Sequence, residues 1–242
     1  MHLAIESLPL WHQWNKERAE KNQCPVFHQS GVLLFGQEDF SDFEKKSIKA
    51  IQEAGYGHFI DVYSSPEEIV RAFPQFQQAV DNGFKKAYLN KQGGMYLVAH
   101  FRYCVTHLLG WCNSAEAVKH VYQKCLENGV HFVVGEKRGH FAKLYCDHKN
   151  PTTVLGIQTV DEKIHHADLV LLTTGSWTAG LVDMHHQVIA SGQQVVHFTP
   201  PPQLKETWEK MPVWCGDLSN TGYYGFPVNA DGKMKIGKHH SG

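Results

Sequence analysis

Apolar and polar positions recur with two periods along this chain, and each period predicts a different kind of element. Leu3, Leu10, Trp11 and Trp14 follow helical spacing and predict an N-terminal helix. Val26–Phe35 (VFHQSGVLLF) alternates and then runs apolar, which predicts a strand bent at Gly31. Helices are expected over Ser41–Ala54, with Ser41 as N-cap, and over Ser65–Ala72. In the second, Ser65 caps, Pro66 takes the first helical position and Glu67 and Glu68 complement the helix dipole. Met95–Ala99 predicts a strand, and Ser114–Asn128 an amphipathic helix capped by Ser114 and closed by Gly129.

Three strand-like runs come next: Val130–Gly135, Thr153–Val160 and Ala167–Gly175. The last is apolar throughout, the pattern of a strand buried on both faces of a parallel sheet, so an α/β layer is expected in the middle of the chain. Beyond it, Gln193–Pro200, Met211–Asp217, Tyr223–Val228 and Lys233–His239 read as successive strands separated by Pro, Gly and Asn turns. That succession predicts an antiparallel sheet in which Tyr223–Val228 pairs with Lys233–His239.

With 242 residues, 42% hydrophobic and 19% charged, the chain is long enough to bury one large core or two modest ones. Its 23 basic and 24 acidic residues nearly cancel, so neither nucleic acid nor an anionic membrane is the expected partner. No run of about 18 apolar residues is present, and Glu6 interrupts the N-terminal stretch where a secretory signal needs apolar continuity. The six cysteines, Cys24, Cys104, Cys112, Cys125, Cys146 and Cys215, form no C-x-x-C pair and suit reduced thiols. An intracellular location, cytoplasmic or peroxisomal, is therefore expected. The pairs His165–His166, His185–His186 and His239–His240 invite a metal, but adjacent strand residues face opposite ways, so no metal is expected.

Three stretches resemble the flavin-dependent amine and amino-acid oxidases of the sarcosine, pipecolate, saccharopine and fructosyl-amine type. LAIESLPLWHQWN followed by FHQSGVLLFG is similar to the helix leaving that family's flavin domain and the first strand of its substrate domain. GIQTVDEKIHHADLVLLTTGSW resembles its A-D pair and apolar strand ending in G-A-W, with Ser176 in place of Ala. TGYYGFPVNADGKMKIGKHHSG resembles its Y-Y-G-F-P and K-I-G-x-H segments, the most specific of the three. No G-x-G-x-x-G follows an N-terminal strand, so the chain is expected to be an internal portion of such an enzyme.

The resemblance implies an α/β fold in which a partial, Rossmann-like FAD-binding domain (1–25 and 99–185) is interleaved with an antiparallel-sheet substrate domain (26–98 and 186–242). It implies FAD as cofactor, a small amine or amino acid as substrate and molecular oxygen as acceptor. Lys137 and Arg138 are implied at the adenine end of the cofactor, and Gly175, Ser176 and Trp177 beside it. Lys235 is implied to serve the oxygen reaction, His239 to position the amine, and Tyr224 to pack at the substrate's carboxylate side. Ordinary alternatives stand beside these. Gly175 also suits a strand terminator, Trp177 a core aromatic, Lys235 an edge-strand lysine, His239 a surface turn and Tyr224 a sheet aromatic. A non-catalytic binding or regulatory module of the same fold is the alternative function.

Overall fold

A computed structural model describes residues 2–91 and 110–239, so the expected strand at Met95–Ala99 lies outside the described residues, as do Cys104 and His240. Along the chain run α1 (His2–Glu20), β1 (Phe27–His28), β2 (Val32–Gly36), α2 (Asp42–Glu53), β3 (Ile60–Tyr63), α3 (Pro66–Ala72), α4 (Gln77–Asp81) and β4 (Lys86–Asn90). After them come β5 (Trp111–Cys112), α5 (Ser114–Glu127), β6 (Phe141–Cys146), β7 (Val154–Thr159), β8 (Ile164–His166) and α6 (Thr178–Leu181). The last elements are β9 (Val195–Phe198), α7 (Lys205–Glu209), β10 (Val213–Gly216), β11 (Tyr223–Phe226) and β12 (Met234–Lys238). The chain divides into two compact units, Met1–His120 with Gln193–Gly242 and Val121–Gly192.

The first unit is built on a seven-stranded sheet of order β3-β4-β2-β10-β11-β12-β9. Every neighbouring pair is antiparallel except β2 with β10, a parallel pair between two strands far apart in sequence. Strand alternation sends Val32, Leu34, Tyr88, Val213 and Cys215 to one face, against Phe40 and Ile48 of the α2 segment. Leu33, Phe35 and Ala87 go to the other, where Ile69, Phe73, Phe76 and Phe84 cover them. Leu33 and Ile69 are fully buried, and each large side chain of this kind contributes about 1.5–3 kcal/mol on removal from water.

The helix boundaries follow from their caps. At α2 a complete capping box forms, in which Ser41 Oγ accepts from the Glu44 N–H and Glu44 Oε2 accepts from the Ser41 N–H. Ser65 caps α3 through its Oγ, which accepts from the Glu68 N–H, with Pro66 at the first position and Glu68 Oε2 accepting from the Ser64 N–H. For α5 the expected cap was one residue out. Asn113 Oδ1, not Ser114, accepts from the Glu116 N–H at 3.2 Å, because Ser114 already has helical backbone. Gly129, at φ 78°, closes that helix as expected. Gly31, at φ 70°, breaks Val26–Phe35 into two strands instead of bending one. Arg18, almost fully buried, pairs with Glu116 at 2.8 Å and donates to the Cys24 carbonyl, joining α1 to the first turn of α5.

The second unit departs from the parallel α/β layer expected there. Its sheet is antiparallel, β6-β7-β8, and only Thr153–Val160 among the three predicted runs becomes a strand, as β7. Thr159 Oγ1 donates to Asp161 Oδ1 at 2.6 Å and shapes the β7–β8 turn, whose Glu162 takes φ 68°. Val130–Val134 and Ala167–Thr174 are not strands, and Leu169 and Leu171 stand 85% and 80% exposed. An apolar run of this type satisfies its backbone only between neighbouring strands, and among the described residues none pairs with it. Among the described residues no helix is long and apolar enough to cross a membrane.

A cluster of acids lies inside the first unit. Glu44 and Asp217 are 1% and 2% exposed, close to Tyr88 and Cys215. Burial raises the Glu44 carboxyl above its ordinary value, the hydrogen bonds from Ser41 oppose this, and Asp217 adds repulsion. Burial likewise pushes the Cys215 thiol up to about 12. A carboxyl raised by folding contributes stability that is complete below the ordinary carboxylate range and is lost as pH rises through its folded value. Glu44→Gln keeps the capping box and removes the charge. The gap in urea midpoint between Glu44→Gln and the parent is expected to widen in favour of the variant as pH rises from 4 to about 8. Parallel midpoint curves would show that Glu44 does not titrate on folding.

Candidate functional site

Antiparallel pairing of β11 with β12 sets Tyr224 opposite Gly237 and Phe226 opposite Lys235. Because side chains alternate, these four positions share one sheet face, while Tyr223, Gly225, Ile236 and Lys238 take the other. The connecting turn fixes this register. Asn229 N–H donates to the Lys233 carbonyl, Asp231 Oδ1 accepts from the Lys233 N–H, and Gly232 adopts φ 75°. At the opposite end the His239 N–H donates to the Gly222 carbonyl at 2.7 Å and extends the ladder past β12. His239 therefore has the parity of Lys235 and Gly237.

The Lys235 side chain is half-buried, with Nζ 4.9 Å from the Phe226 ring centroid and 5.9 Å from that of Tyr224. The two rings meet edge to face at 6.0 Å. An ammonium against two aromatic rings is held by their quadrupoles while one side of it stays available to a ligand. Lys238 makes a similar contact with Tyr223 at 5.3 Å, but both are exposed on the opposite face. Four residues of extended strand separate Lys235 from His239, about 13 Å.

Tyr224, Lys235 and His239 are thus brought to one face of one sheet. Two residues of that face were not singled out in the sequence. Phe226 is the nearer ring to the ammonium, and His197 of β9 is the cross-strand partner of Lys235 on its other side. Alternation assigns His197 to this face once β9 is known to pair with β12, a pairing the sequence pattern did not supply.

The remaining expected site residues belong to the second unit. Lys137 and Arg138 lie exposed on a turn held by the Gly139 N–H to the Gly135 carbonyl, with Gly135 at φ 125°. Arg138 Nε donates to the Val134 carbonyl at 2.6 Å. Gly175, Ser176 and Trp177 form one 3-10 turn after the extended apolar run, with Gly175 at φ 54°. Trp177 is 75% exposed, so it is neither at the end of a buried strand nor a core aromatic. Among the described residues no group of three or more His, Cys, Asp or Glu is arranged to hold a metal ion.

Comparison with known proteins gives the family and the fold. A family model described as FAD dependent oxidoreductase (DAO) matches residues 1–242. The chain is 27% identical over 225 residues to the L-saccharopine oxidase of Schizosaccharomyces pombe, covering 88% of this chain and 46% of that one. Among solved structures it resembles the fructosyl peptide oxidase from E. terrenum, with a TM-score of 0.76, 22% identity, and coverage of 100% of this chain and 50% of that one. It also resembles Amadoriase II, a fructosamine oxidase from Aspergillus fumigatus, with a TM-score of 0.63 and 19% identity over 89% of this chain and 44% of that one. The chain spans about half the length of these relatives.

The ring–ammonium contact is measurable without any ligand. In urea unfolding, Phe226→Leu is expected to cost about 0.5–1 kcal/mol more when Lys235 is present than in a Lys235→Met background. Equal costs would mean that Lys235 does not lean on Phe226 in solution.

Proposed function

We propose, from the premise that this chain belongs to the FAD-dependent oxidoreductase family, that it carries the substrate-facing part of an amine oxidase. The reaction is oxidation of a secondary amine or N-methyl amino acid to an imine, with oxygen as the final acceptor and hydrogen peroxide as product. FAD, when bound, supplies the two-electron acceptor that oxygen returns to its oxidised form. In this reading residues 26–98 and 186–242 form the substrate domain, residues 1–25 and 99–185 belong to the FAD domain, and the protein works in the cytoplasm or peroxisome.

One observation carries the proposal: an ammonium and two aromatic rings share one sheet face. That face fits a planar cofactor, since it presents flat aromatic rings and Lys235 offers a positive charge beside them. The pyrophosphate is a different matter, because the 242 residues contain no G-x-G-x-x-G cradle. Lys137, Arg138, Gly175, Ser176 and Trp177 are assigned to the cofactor by family resemblance alone.

Each side chain on the face has a separate task. Lys235 stabilises the anion that forms as oxygen accepts an electron, and it already stands in place, so no reorganisation is needed at that moment. His239 holds the amine and takes up its proton, since hydride leaves the carbon beside an uncharged nitrogen most readily. Tyr224 packs at the carboxylate side of the substrate. The similarity to an L-saccharopine oxidase supports an amino-acid substrate with a secondary amine.

Lys235→Met separates the two halves of the reaction. In flavin-loaded protein, reduction by substrate is expected to stay within a few-fold of the parent. Reoxidation by oxygen should slow on the order of 10²-fold, the loss typical of one preorganised charge. Stopped-flow absorbance follows both steps, and an unchanged reoxidation rate would mean that Lys235 takes no part in the oxygen reaction; with β9 paired beyond β12, an edge-strand role is already excluded.

A further inference from the structure

Glycine inside a strand costs stability unless something uses the missing side chain. β12 carries Gly237 in its interior and β11 carries Gly225, and neither has the positive φ that would demand glycine. Space demands it instead. A Cβ on Gly237 would come within 2.5 Å of Tyr224 Cζ and Oη and 3.0 Å of its Cε1, so the phenol lies flat on the β12 backbone. On the opposite face a Cβ on Gly225 would run into the Trp214 indole. Each glycine is roofed by an aromatic from the neighbouring strand, one per face.

We propose that Gly237 is a positioning residue. By letting the Tyr224 ring lie down across β12, it sets the height of the phenol hydroxyl beside Lys235, which precedes Gly237 by two residues on the same face. With any side chain at this position, the ring must rise by about 1 Å to reach ordinary contact distance. The rise takes it away from the Lys235 ammonium and into the space a ligand would occupy. Gly225 has no such role, because Trp214 is on the face away from Lys235 and packs against Met211, Val228 and Met234. The inference rests on the reading that this face receives substrate, but its test does not use flavin or substrate.

The test combines a mutant cycle with a spectroscopic signature on the 242-residue chain. Gly237→Ala is expected to reduce the folding equilibrium constant at least tenfold when Tyr224 is present and less than about twofold in a Tyr224→Leu background. Lysines are then labelled by reductive 13C-methylation, and the Lys235 signal is assigned by its loss in Lys235→Met. In the parent that signal is expected to be displaced by the currents of the two rings. It should shift in Gly237→Ala and hold its position in Gly225→Ala, whatever stability that control loses. Should Gly237→Ala alone fail to fold, folding of the Tyr224→Leu/Gly237→Ala double variant supports the proposal, and its failure overturns it. An equal cost in both backgrounds, or a Lys235 signal indifferent to Gly237→Ala, also overturns it. The function of Lys235 is tested separately by reoxidation kinetics, so either idea can fail without the other.

Discussion

Register between β11 and β12 is the constraint on which the first unit's chemistry depends. A slip of one residue would exchange the two faces, sending Lys235 to the side of Trp214 and bringing Ile236 to the side of Tyr224. The slip is resisted from both ends. Asn229, Asp231 and Gly232 set a turn with one productive geometry, and the Gly222 carbonyl takes the His239 N–H beyond the last strand residue. Gly225 and Gly237 add a steric lock, since each accepts a specific aromatic in one register only. The same hydrogen bonds that stabilise the hairpin therefore decide which lysine shares a face with Tyr224 and Phe226.

Beneath this hairpin, the parallel pairing of β10 with β2 transmits its position to the rest of the sheet. Cys215 is the cross-strand partner of Tyr224 on one side and of Leu34 on the other, so the face that carries Lys235 continues into the buried cluster of Val32, Leu34, Tyr88 and Val213. The β10–β11 connection begins at Asp217, whose φ of 49° and buried carboxylate place strained, polar backbone next to Glu44 of α2. Its Oδ2 accepts from Asn220 Nδ2 at 2.8 Å, and Ser219 Oγ reaches Ser41 Oγ at 3.3 Å. The helix cap and the strand connection are consequently one polar assembly.

Period-two alternation made Tyr223–Phe226 and Met234–Lys238 legible, because each segment faces two environments and its sequence says so. Caps made α2 and α3 legible for a similarly local reason. Ala167–Gly175 defeated the same method. A run apolar on both faces records a need for neighbours on both sides without naming them, and the described residues provide none. The β2–β10 pairing was hidden because cross-strand partners about 180 residues apart leave no local trace, and the place of His197 because the β9–β12 pairing joins strands that are not neighbours in sequence. Gly237 was visible as a letter in a family pattern. Its purpose appears only when Tyr224 is seen lying on it.

If a secondary amine is oxidised against this face by a bound flavin, anaerobic addition of an N-methyl or cyclic secondary amino acid to flavin-loaded protein will bleach the flavin band at about 450 nm. Readmission of oxygen will then restore the band in full, with one hydrogen peroxide formed per flavin. A flavin band that secondary amino acids leave unmoved would exclude that reaction and favour a binding module of the same fold.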